Sequence, residues 1–231
     1  MGIAQSPQLN TVTPVPPTGA RRELRVGGLT PLTTVDYPGE LAAVVFCQGC
    51  PWRCRYCHNG HLLPPRAAEL IPWAQVHAFL EARRGLLDAV VFSGGEPTLQ
   101  PALAAAITDA RALGFKVGLH SSGAYPGRIK ALLPLLDWVG LDIKALPADY
   151  PAITGVPGSG ERAWASLRLL LAAGVPLQVR TTPMPGQDGP ADLAPLRQRL
   201  AALGVREHRV QPCRTAHTLD PTLAAESVRV L

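Results

Sequence analysis

The sequence predicts an α/β fold in which six strands alternate with helices. Four segments end a helical pattern at a glycine and then enter a short β-rich run. The four glycines are Gly85, Gly114, Gly174 and Gly204. Glycine suits the left-handed residue just past the end of a helix. Two further apolar runs, 41–47 and 135–144, complete six strands. Strands that alternate with helices predict a parallel sheet with right-handed crossovers.

The number of units narrows the fold. Six units in about 190 residues are too few for a closed eight-stranded barrel, which takes about 250 residues. A partial, open barrel or a doubly wound sheet remains, and both place their chemistry at the carboxyl ends of the strands. Polar residues follow all six predicted strands, at 47–57, 93–96, 120–122, 142–144, 180–182 and Gln211. We therefore expect one site at this edge of the sheet.

Composition indicates a folded, globular chain. Of the 231 residues, 47% are hydrophobic and 17% are charged, which excludes a disordered protein. Residues 1–20 are rich in Pro, Thr and Ser and show no apolar periodicity. We expect them to form a mobile tail, followed by one domain over residues 21–231, a length that a single α/β domain commonly has.

Charge and hydropathy exclude several classes of protein. The 22 Lys and Arg residues give a net charge of +5 but are spread along the chain, which disfavours nucleic-acid binding. No apolar run is long enough to predict a membrane span, and the N-terminal residues lack the pattern of a signal peptide. We therefore expect a cytoplasmic protein with reduced thiols, in which clustered cysteines indicate a metal-binding or catalytic site.

Four of the five cysteines form such a cluster: Cys47, Cys50, Cys54 and Cys57. Two CxxC knuckles around zinc are one interpretation, but structural zinc sites usually have a longer spacer between their knuckles. In the other interpretation, Cys50, Cys54 and Cys57 each bind a different iron of a [4Fe–4S] cube and leave the fourth iron open. Cys47 then is a small buried apolar residue near a strand end.

The cysteine pattern extends into a longer resemblance. CxxxCxxC with an aromatic residue, Tyr56, before the last cysteine resembles the signature of radical S-adenosylmethionine (SAM) enzymes. The lead-in 27–59 and the later SGGEPTLQ, DIKA, RTTP and VQP segments resemble the activating proteins of anaerobic ribonucleoside-triphosphate reductase. They are similar, more distantly, to pyruvate formate-lyase activating enzymes. The match covers roughly residues 25–212, and it implies a partial (β/α)6 barrel of the radical SAM type.

The resemblance implies two cofactors, a [4Fe–4S] cluster and S-adenosylmethionine. Their reaction gives methionine and a 5′-deoxyadenosyl radical, which removes a hydrogen atom from a glycine Cα of a partner. The partner implied is a glycyl-radical enzyme, anaerobic ribonucleotide reductase, and a flavodoxin- or ferredoxin-type protein is the electron donor. Neither nucleic acid nor a membrane is expected as a partner.

The resemblance also implies roles for residues at the strand ends. Cys50, Cys54 and Cys57 are the metal ligands and form the catalytic set. Glu96 and the glycines before it match the motif that holds the amino group of S-adenosylmethionine, where a carboxylate can accept from an ammonium group. The expected cofactor-binding residues are Tyr56, Gly94, Gly95, Glu96, Ser122, Asp142, Lys144, Arg180 and Gln211. Tyr56 is expected against the adenine, and Lys144 against the cofactor carboxylate.

One segment departs from the family pattern, and two other functions remain open. His120-Ser121-Ser122-Gly123 stands where relatives tend to show Asp-Thr-Asn-Gly, so a group that titrates near neutral pH replaces a carboxylate. One alternative is a radical SAM enzyme that acts on a small molecule such as a pterin or deazapurine precursor. The other is a zinc or redox module without catalysis. Cys213 receives no role.

Overall fold

A seven-stranded sheet organises the molecule. The computed structural model describes residues 23–187, 189–216 and 218–223, and the tail expected over residues 1–20 lies outside them. The strands are β1 (Val26–Thr33), β2 (Ala42–Cys47), β3 (Ala89–Gly94), β4 (Lys116–Ser121), β5 (Trp138–Asp142), β6 (Leu177–Thr181) and β7 (His208–Val210). They lie side by side in chain order. β1 is antiparallel to β2, and every later neighbouring pair is parallel.

The six parallel strands confirm the prediction of an α/β, partial (β/α)6 barrel. In the part of the chain that the structure describes, β1 and β7 are the two edges and the sheet does not close. β1 was not predicted. It extends the sheet beyond the first predicted strand. It pairs Val26 with Cys47, where the cysteine segment (residues 47–64) begins.

Helices cover one face of the sheet. They are α1 (Trp73–Glu81), α2 (Leu103–Ala112), α3 (Pro126–Leu132), α4 (Tyr150–Thr154), α5 (Ser159–Ala173) and α6 (Pro190–Ala202). Each crossover runs from one parallel strand over this face to the next, and the four glycines that precede β3, β4, β6 and β7 all have positive φ angles. The glycine pattern predicted the ends of α2, α5 and α6 correctly, whereas α1 ends at Glu81, four residues before Gly85. None of the helices among the described residues is long and apolar enough to cross a membrane.

The opposite, inner face of the sheet has its own small apolar cluster. Ala42 and Val44 of β2 pack with Ala89 and Val91 of β3 and with Trp138 of β5. The connection between β1 and β2 folds over this cluster, because Tyr37 lies with its ring centroid 5.2 Å from that of Trp138. The apolar cluster fills one end of the inner face, and the polar residues occupy the end nearer the carboxyl termini of the strands.

Candidate active site

The polar strand ends meet in one cavity of about 630 Å³ at the carboxyl edge of the sheet. Its lining includes every predicted site residue except Glu96, namely Cys50, Cys54, Tyr56, Cys57, Gly94, Gly95, Ser122, Asp142, Lys144, Arg180 and Gln211. A cavity of this size is typical of sites for small molecules and cofactors. The structure thus brings together side chains that are up to about 160 positions apart in the sequence.

The cysteine segment forms one wall of the cavity. Its backbone is held in place on one side by α4, where Arg53 N donates to Thr154 O at 3.0 Å and Arg55 N donates to Ile153 O at 2.9 Å. A tight turn brings the last two cysteines together, since Cys57 N donates to Cys54 O at 2.9 Å. The loop therefore has a defined shape before any metal is considered.

Burial favours the protonated form of the three thiols. Burial raises the pKa of Cys50 to about 12 and also raises the pKa values of Cys54 and Cys57. Iron binding would replace the thiol protons. Among the described residues, no three Cys, His, Asp or Glu side chains are grouped around a point where a single ion could sit.

The two remaining cysteines lie apart from the cavity lining. Cys47 is fully buried and packs in the helix-side core, as expected for a small apolar residue. Burial also raises its pKa, so its thiol stays protonated. Cys213 is partly buried and packs beside the apolar cluster that contains Tyr56.

The two glycines of the SGGE segment are required by the neighbouring strand. A Cβ atom on Gly94 would lie 2.4 Å from Cys47 N, and one on Gly95 would lie 2.3 Å from Gly49 O. Hydrogen bonds follow the same contact, since Gly95 N donates to Cys47 O and Glu96 N donates to Gly49 O, both at 2.9 Å. The resemblance in the sequence implies a cofactor contact for these glycines. In the structure, their missing side chains let the cysteine strand approach, and their other side faces the cavity.

The Glu96 carboxylate has other partners than the ammonium group that the sequence suggests. One oxygen accepts from Thr98 N at 3.1 Å, Thr98 Oγ1 at 2.5 Å and Ser121 Oγ at 2.9 Å. The other accepts from Ser122 N at 2.8 Å and Ser122 Oγ at 2.5 Å. Five donors occupy the roughly four lone-pair directions of a carboxylate, and the side chain is 0% exposed. The backbone of Glu96 is also engaged, since its N–H donates to Gly49 O and its carbonyl accepts from Leu99 N, so the cofactor contact expected for Glu96 stays a prediction.

A charged group lies on the inner face at the ends of β5 and β6. Arg180 donates from Nε and Nη2 to Asp142 Oδ1 at 3.1 and 3.0 Å, and Lys144 Nζ lies 3.5 Å from Asp142 Oδ2. Burial raises the pKa of Asp142, but the positive charges of Arg180 and Lys144 outweigh it and hold the pKa below its usual value. Two cations face one anion, so the group carries a surplus positive charge that suits a ligand carboxylate.

His120 is a neutral partner of this charged group. Its Nε2 lies 2.8 Å from the carbonyl oxygen of Asp36, which can only accept, so Nε2 carries the proton. Its Nδ1 can then accept from Arg180 Nη1, 3.2 Å away. Burial and the neighbouring guanidinium of Arg180 lower the pKa of His120 to about 4. Histidine thus occupies the place of the family carboxylate as an uncharged acceptor.

Tyr56 presents an unused hydrogen-bonding group. Its side chain is buried, and its phenol oxygen has no partner among the described residues. Lys144 Nζ lies 5.4 Å from the centre of its ring. A buried hydroxyl without a partner is uncommon in a folded protein, and Lys144 is the charged neighbour that acts on this hydroxyl.

Several lining residues were not predicted. They are Asp36, Phe46, Trp52, Asn59, Leu63, Ser93, Thr182, Pro212 and Arg214. Most are sequence neighbours of predicted residues, so proximity alone could have suggested them. Asp36 is different, because it lies before the first predicted strand and the connection between β1 and β2 brings it to the cavity.

Residues 44–190 match the family model of the radical SAM superfamily. This match spans more than half of the chain, and the cysteine cavity lies within the matched fold. The chain belongs to the radical SAM superfamily. Members of this superfamily are enzymes that use a [4Fe–4S] cluster and S-adenosylmethionine, so both predicted cofactors are confirmed. The three-thiol wall and the surplus positive charge fit those two groups.

Two relatives carry names of activating enzymes. A Methanocaldococcus jannaschii protein with the provisional name glycyl-radical enzyme activating enzyme is 34% identical over 152 residues, which are 59% of this chain and 57% of that protein. The pyruvate formate-lyase-activating enzyme of Streptococcus mutans is 31% identical over 201 residues, which are 79% of this chain and 74% of the enzyme. This chain therefore spans less than two thirds of the first relative and about three quarters of the second. These names confirm the predicted resemblance to glycyl-radical enzyme activating enzymes and pyruvate formate-lyase activating enzymes.

A solved structure supports the fold. SuiB of Streptococcus suis, bound to the precursor peptide SuiA, superimposes with a TM-score of 0.60 at 14% sequence identity. The superposition covers 76% of this chain and 40% of SuiB. At this identity the likeness concerns the fold alone.

Proposed function

We propose that this radical SAM protein generates a glycyl radical on a partner enzyme, and that the partner is anaerobic ribonucleoside-triphosphate reductase. The observation that carries the proposal is the single cavity in which the three thiols of the cysteine segment face the polar ends of the parallel strands. The names of the two relatives support the choice of a glycyl-radical enzyme. The choice of the reductase rests on the motif resemblance in the sequence.

When bound, the cluster and S-adenosylmethionine supply a 5′-deoxyadenosyl radical, which takes a hydrogen atom from a glycine Cα. The chain holds and orients these groups. Cys50, Cys54 and Cys57 bind three irons. Lys144 and Arg180 attract the cofactor carboxylate, because their joint charge exceeds that of Asp142.

The remaining predicted residues would hold the other parts of the cofactor. The backbone of Gly94 and Gly95, which line the cavity, binds the ammonium group, because the Glu96 carboxylate is already occupied. Tyr56 lies against the adenine. Ser122 and Gln211 offer hydrogen bonds to the adenosyl group from the opposite wall.

A second cavity supports a polypeptide as the substrate. It measures about 900 Å³, shares Lys144 with the cofactor cavity, and is lined largely by apolar residues. Pro183, Met184 and Leu193 are among them. A glycine-bearing segment of the partner could lie there and extend its glycine toward the cofactor.

The basic residues in and around the cysteine segment support an acidic electron donor. We propose a cytoplasmic protein of the flavodoxin or ferredoxin type. Residues 41–68 contain no Asp or Glu, but they contain three arginines and two histidines, namely Arg53, Arg55, His58, His61 and Arg66. Arg55 is paired with Asp220, while Arg53 and Arg66 are exposed, and an acidic protein would be attracted to these two charges.

The first experiment is anaerobic reconstitution with iron and sulfide, followed by electron paramagnetic resonance (EPR) of the dithionite-reduced protein with and without S-adenosylmethionine. We expect a cluster signal that changes with the cofactor, release of 5′-deoxyadenosine, and a glycyl radical when the reductase is added. Replacing the target glycine of the reductase by alanine should abolish that radical. Cys54→Ala should lose the signal, and the matched variant Cys47→Ala should keep it.

The other outcomes identify the alternatives. Release of 5′-deoxyadenosine without any radical on the reductase would contradict the proposed partner and favour a different substrate, including a small molecule. A cluster signal that S-adenosylmethionine does not change, and that Cys47→Ala abolishes, would indicate that Cys47 binds the fourth iron and leaves no iron open for the cofactor. Zinc in place of iron would indicate the non-catalytic module.

A further inference from the structure

Two buried glutamines lie behind the cysteine segment, outside the cofactor cavity. Gln48 is 1% exposed and Gln100 is 3% exposed, and neither lines the cavity. Burying an amide side chain without hydrogen bonds is costly. The partners of these two side chains therefore indicate what their burial achieves.

Gln48 joins the start of the cysteine segment to its end. It directly follows β2, and its Nε2 donates to His61 O at 3.0 Å and to Pro64 O at 2.8 Å. Its side chain lies against Gly27 of β1, where a Cβ atom would be 2.4 Å from Gln48 Oε1. Glycine at that position of β1 makes room for the glutamine.

Backbone hydrogen bonds join the same two parts of the chain that the Gln48 side chain joins. Gly49 N donates to Leu62 O at 2.7 Å, and Cys50 N donates to Leu63 O at 3.1 Å. The first ligand cysteine is therefore fixed directly to the returning end of the loop, next to the carbonyl groups that Gln48 binds.

Gln100 joins the glycine motif to the same point. It ends the GGEPTLQ segment, and its Nε2 donates to Arg25 O at 2.8 Å and to Gln48 O at 3.0 Å. Its Oε1 accepts from Arg25 N at 2.8 Å. One amide thus connects the residue before β1, the residue after β2 and the turn that follows β3.

We propose that Gln48 and Gln100 are positioning residues that set the place of Cys50 relative to Gly95. They act through the backbone, since they bind carbonyl groups on both sides of the cysteine segment and touch no thiol. Partners behind a metal ligand fix its orientation and affect metal affinity. This inference rests on the proposed assignment of Cys50 as a cluster ligand.

The test compares three glutamine-to-methionine variants, because methionine is close to glutamine in size and makes no comparable hydrogen bonds. Gln100→Met removes the hydrogen bonds to the backbone of Arg25 and Gln48. Gln48→Met removes the hydrogen bonds to the carbonyl groups of His61 and Pro64. Gln178→Met is the matched control, since Gln178 in β6 is also 3% exposed but donates to Glu207, far from the cysteine segment. The reconstituted proteins are treated with an iron chelator, and the rate of cluster loss is followed by visible absorbance.

We expect Gln100→Met and Gln48→Met to lose the cluster about tenfold faster than the parent. The control should lose it at the parental rate, even if urea unfolding shows that all three variants are destabilised to the same extent. The EPR spectrum of the reduced cluster should also broaden in the two positioning variants and not in the control, because Cys50 then samples several positions.

Parental rates and spectra in both positioning variants would overturn the inference, as would equal acceleration in the control. If Gln100→Met does not fold, Gln48→Met decides alone, since it removes only the two bonds to the loop end. A parent protein that holds no cluster would instead contradict the proposed function, and the two failures are thus distinguishable.

Discussion

Glu96 joins two strand ends through one carboxylate. Its five donors come from the turn after β3 and from the end of β4. Hydrogen bonds to a charged group are among the stronger ones in proteins. Its burial places Ser122, a predicted cofactor contact, at a fixed distance from the glycine motif. Glu96 is therefore a positioning residue whose side chain acts within the protein.

Glu96→Gln tests this role, because it puts an NH2 group in front of hydroxyl and N–H donors. We expect the free energy of unfolding of the metal-free protein to fall by about 2 kcal/mol, measured by urea denaturation. Glu161→Gln, at an exposed position of α5, should change it by less than about 0.5 kcal/mol. Unchanged stability with lost cofactor binding would instead show that the carboxylate contacts the cofactor.

At the scale of elements, the junction between β2 and β3 builds the site. The two strands are parallel and pair Cys47 with Gly94 at their carboxyl ends. Beyond that pair the chains stay in contact through the hydrogen bonds of Gly95 and Glu96. Backbone hydrogen bonds thus join the cysteine segment to the glycine motif. Both motifs follow neighbouring strands because this contact requires their strand ends to be adjacent.

Gly95→Ala should separate the cysteine segment from the glycine motif. A Cβ there would meet a backbone carbonyl, which no side-chain rotation can relieve, so we expect a loss of about 3 kcal/mol in unfolding free energy together with lower cluster content. Gly127→Ala in α3 is the control, since no atom lies within 4 Å of its added Cβ and alanine favours a helix by about 0.5 kcal/mol. An unaffected Gly95→Ala protein would mean that this junction is looser than the structure indicates.

At the scale of the whole molecule, local patterns predicted the elements and the shared edge but not the contacts across the inner face. The glycines at helix ends and the apolar runs are local signals, so six strands could be predicted. β1 contains two glycines and a proline, VGGLTPLT, and lacks a β-rich pattern. The pair of Asp142 and Arg180 depends on strand register, which is set by packing between distant segments.

Gly140 shows the same dependence on register. It lies between His120 and Arg180, and a Cβ on it would lie 2.9 Å from His120 Cδ2 and 3.3 Å from Arg180 Cζ. Glycine in β5 therefore gives the two side chains of β4 and β6 room to meet. From the sequence alone, Gly140 is only a small residue within an apolar run, and its contacts cannot be predicted.

This inner network makes the stability of the whole fold depend on pH. His120 has a pKa of about 4 in the folded protein, against about 6.5 in an unfolded chain. Between these values the unfolded chain binds a proton that the folded protein does not. Stability is therefore fully present above about pH 6.5 and decreases as the pH falls toward 4. Arg180 opposes protonation, while Asp142 and Asp36 partly favour it.

His120→Gln should weaken this dependence, because glutamine can still donate to the Asp36 carbonyl but does not titrate. Between pH 7 and pH 5 we expect the parent to lose about 2 kcal/mol more unfolding free energy than the variant, measured by urea denaturation of the metal-free proteins. His61→Gln is the control, since that ring is exposed and the variant should follow the parental curve. Parallel curves for the parent and His120→Gln would show that His120 is not held neutral by its burial and by Arg180, and they would remove the basis for its role as an uncharged acceptor beside the cofactor cavity.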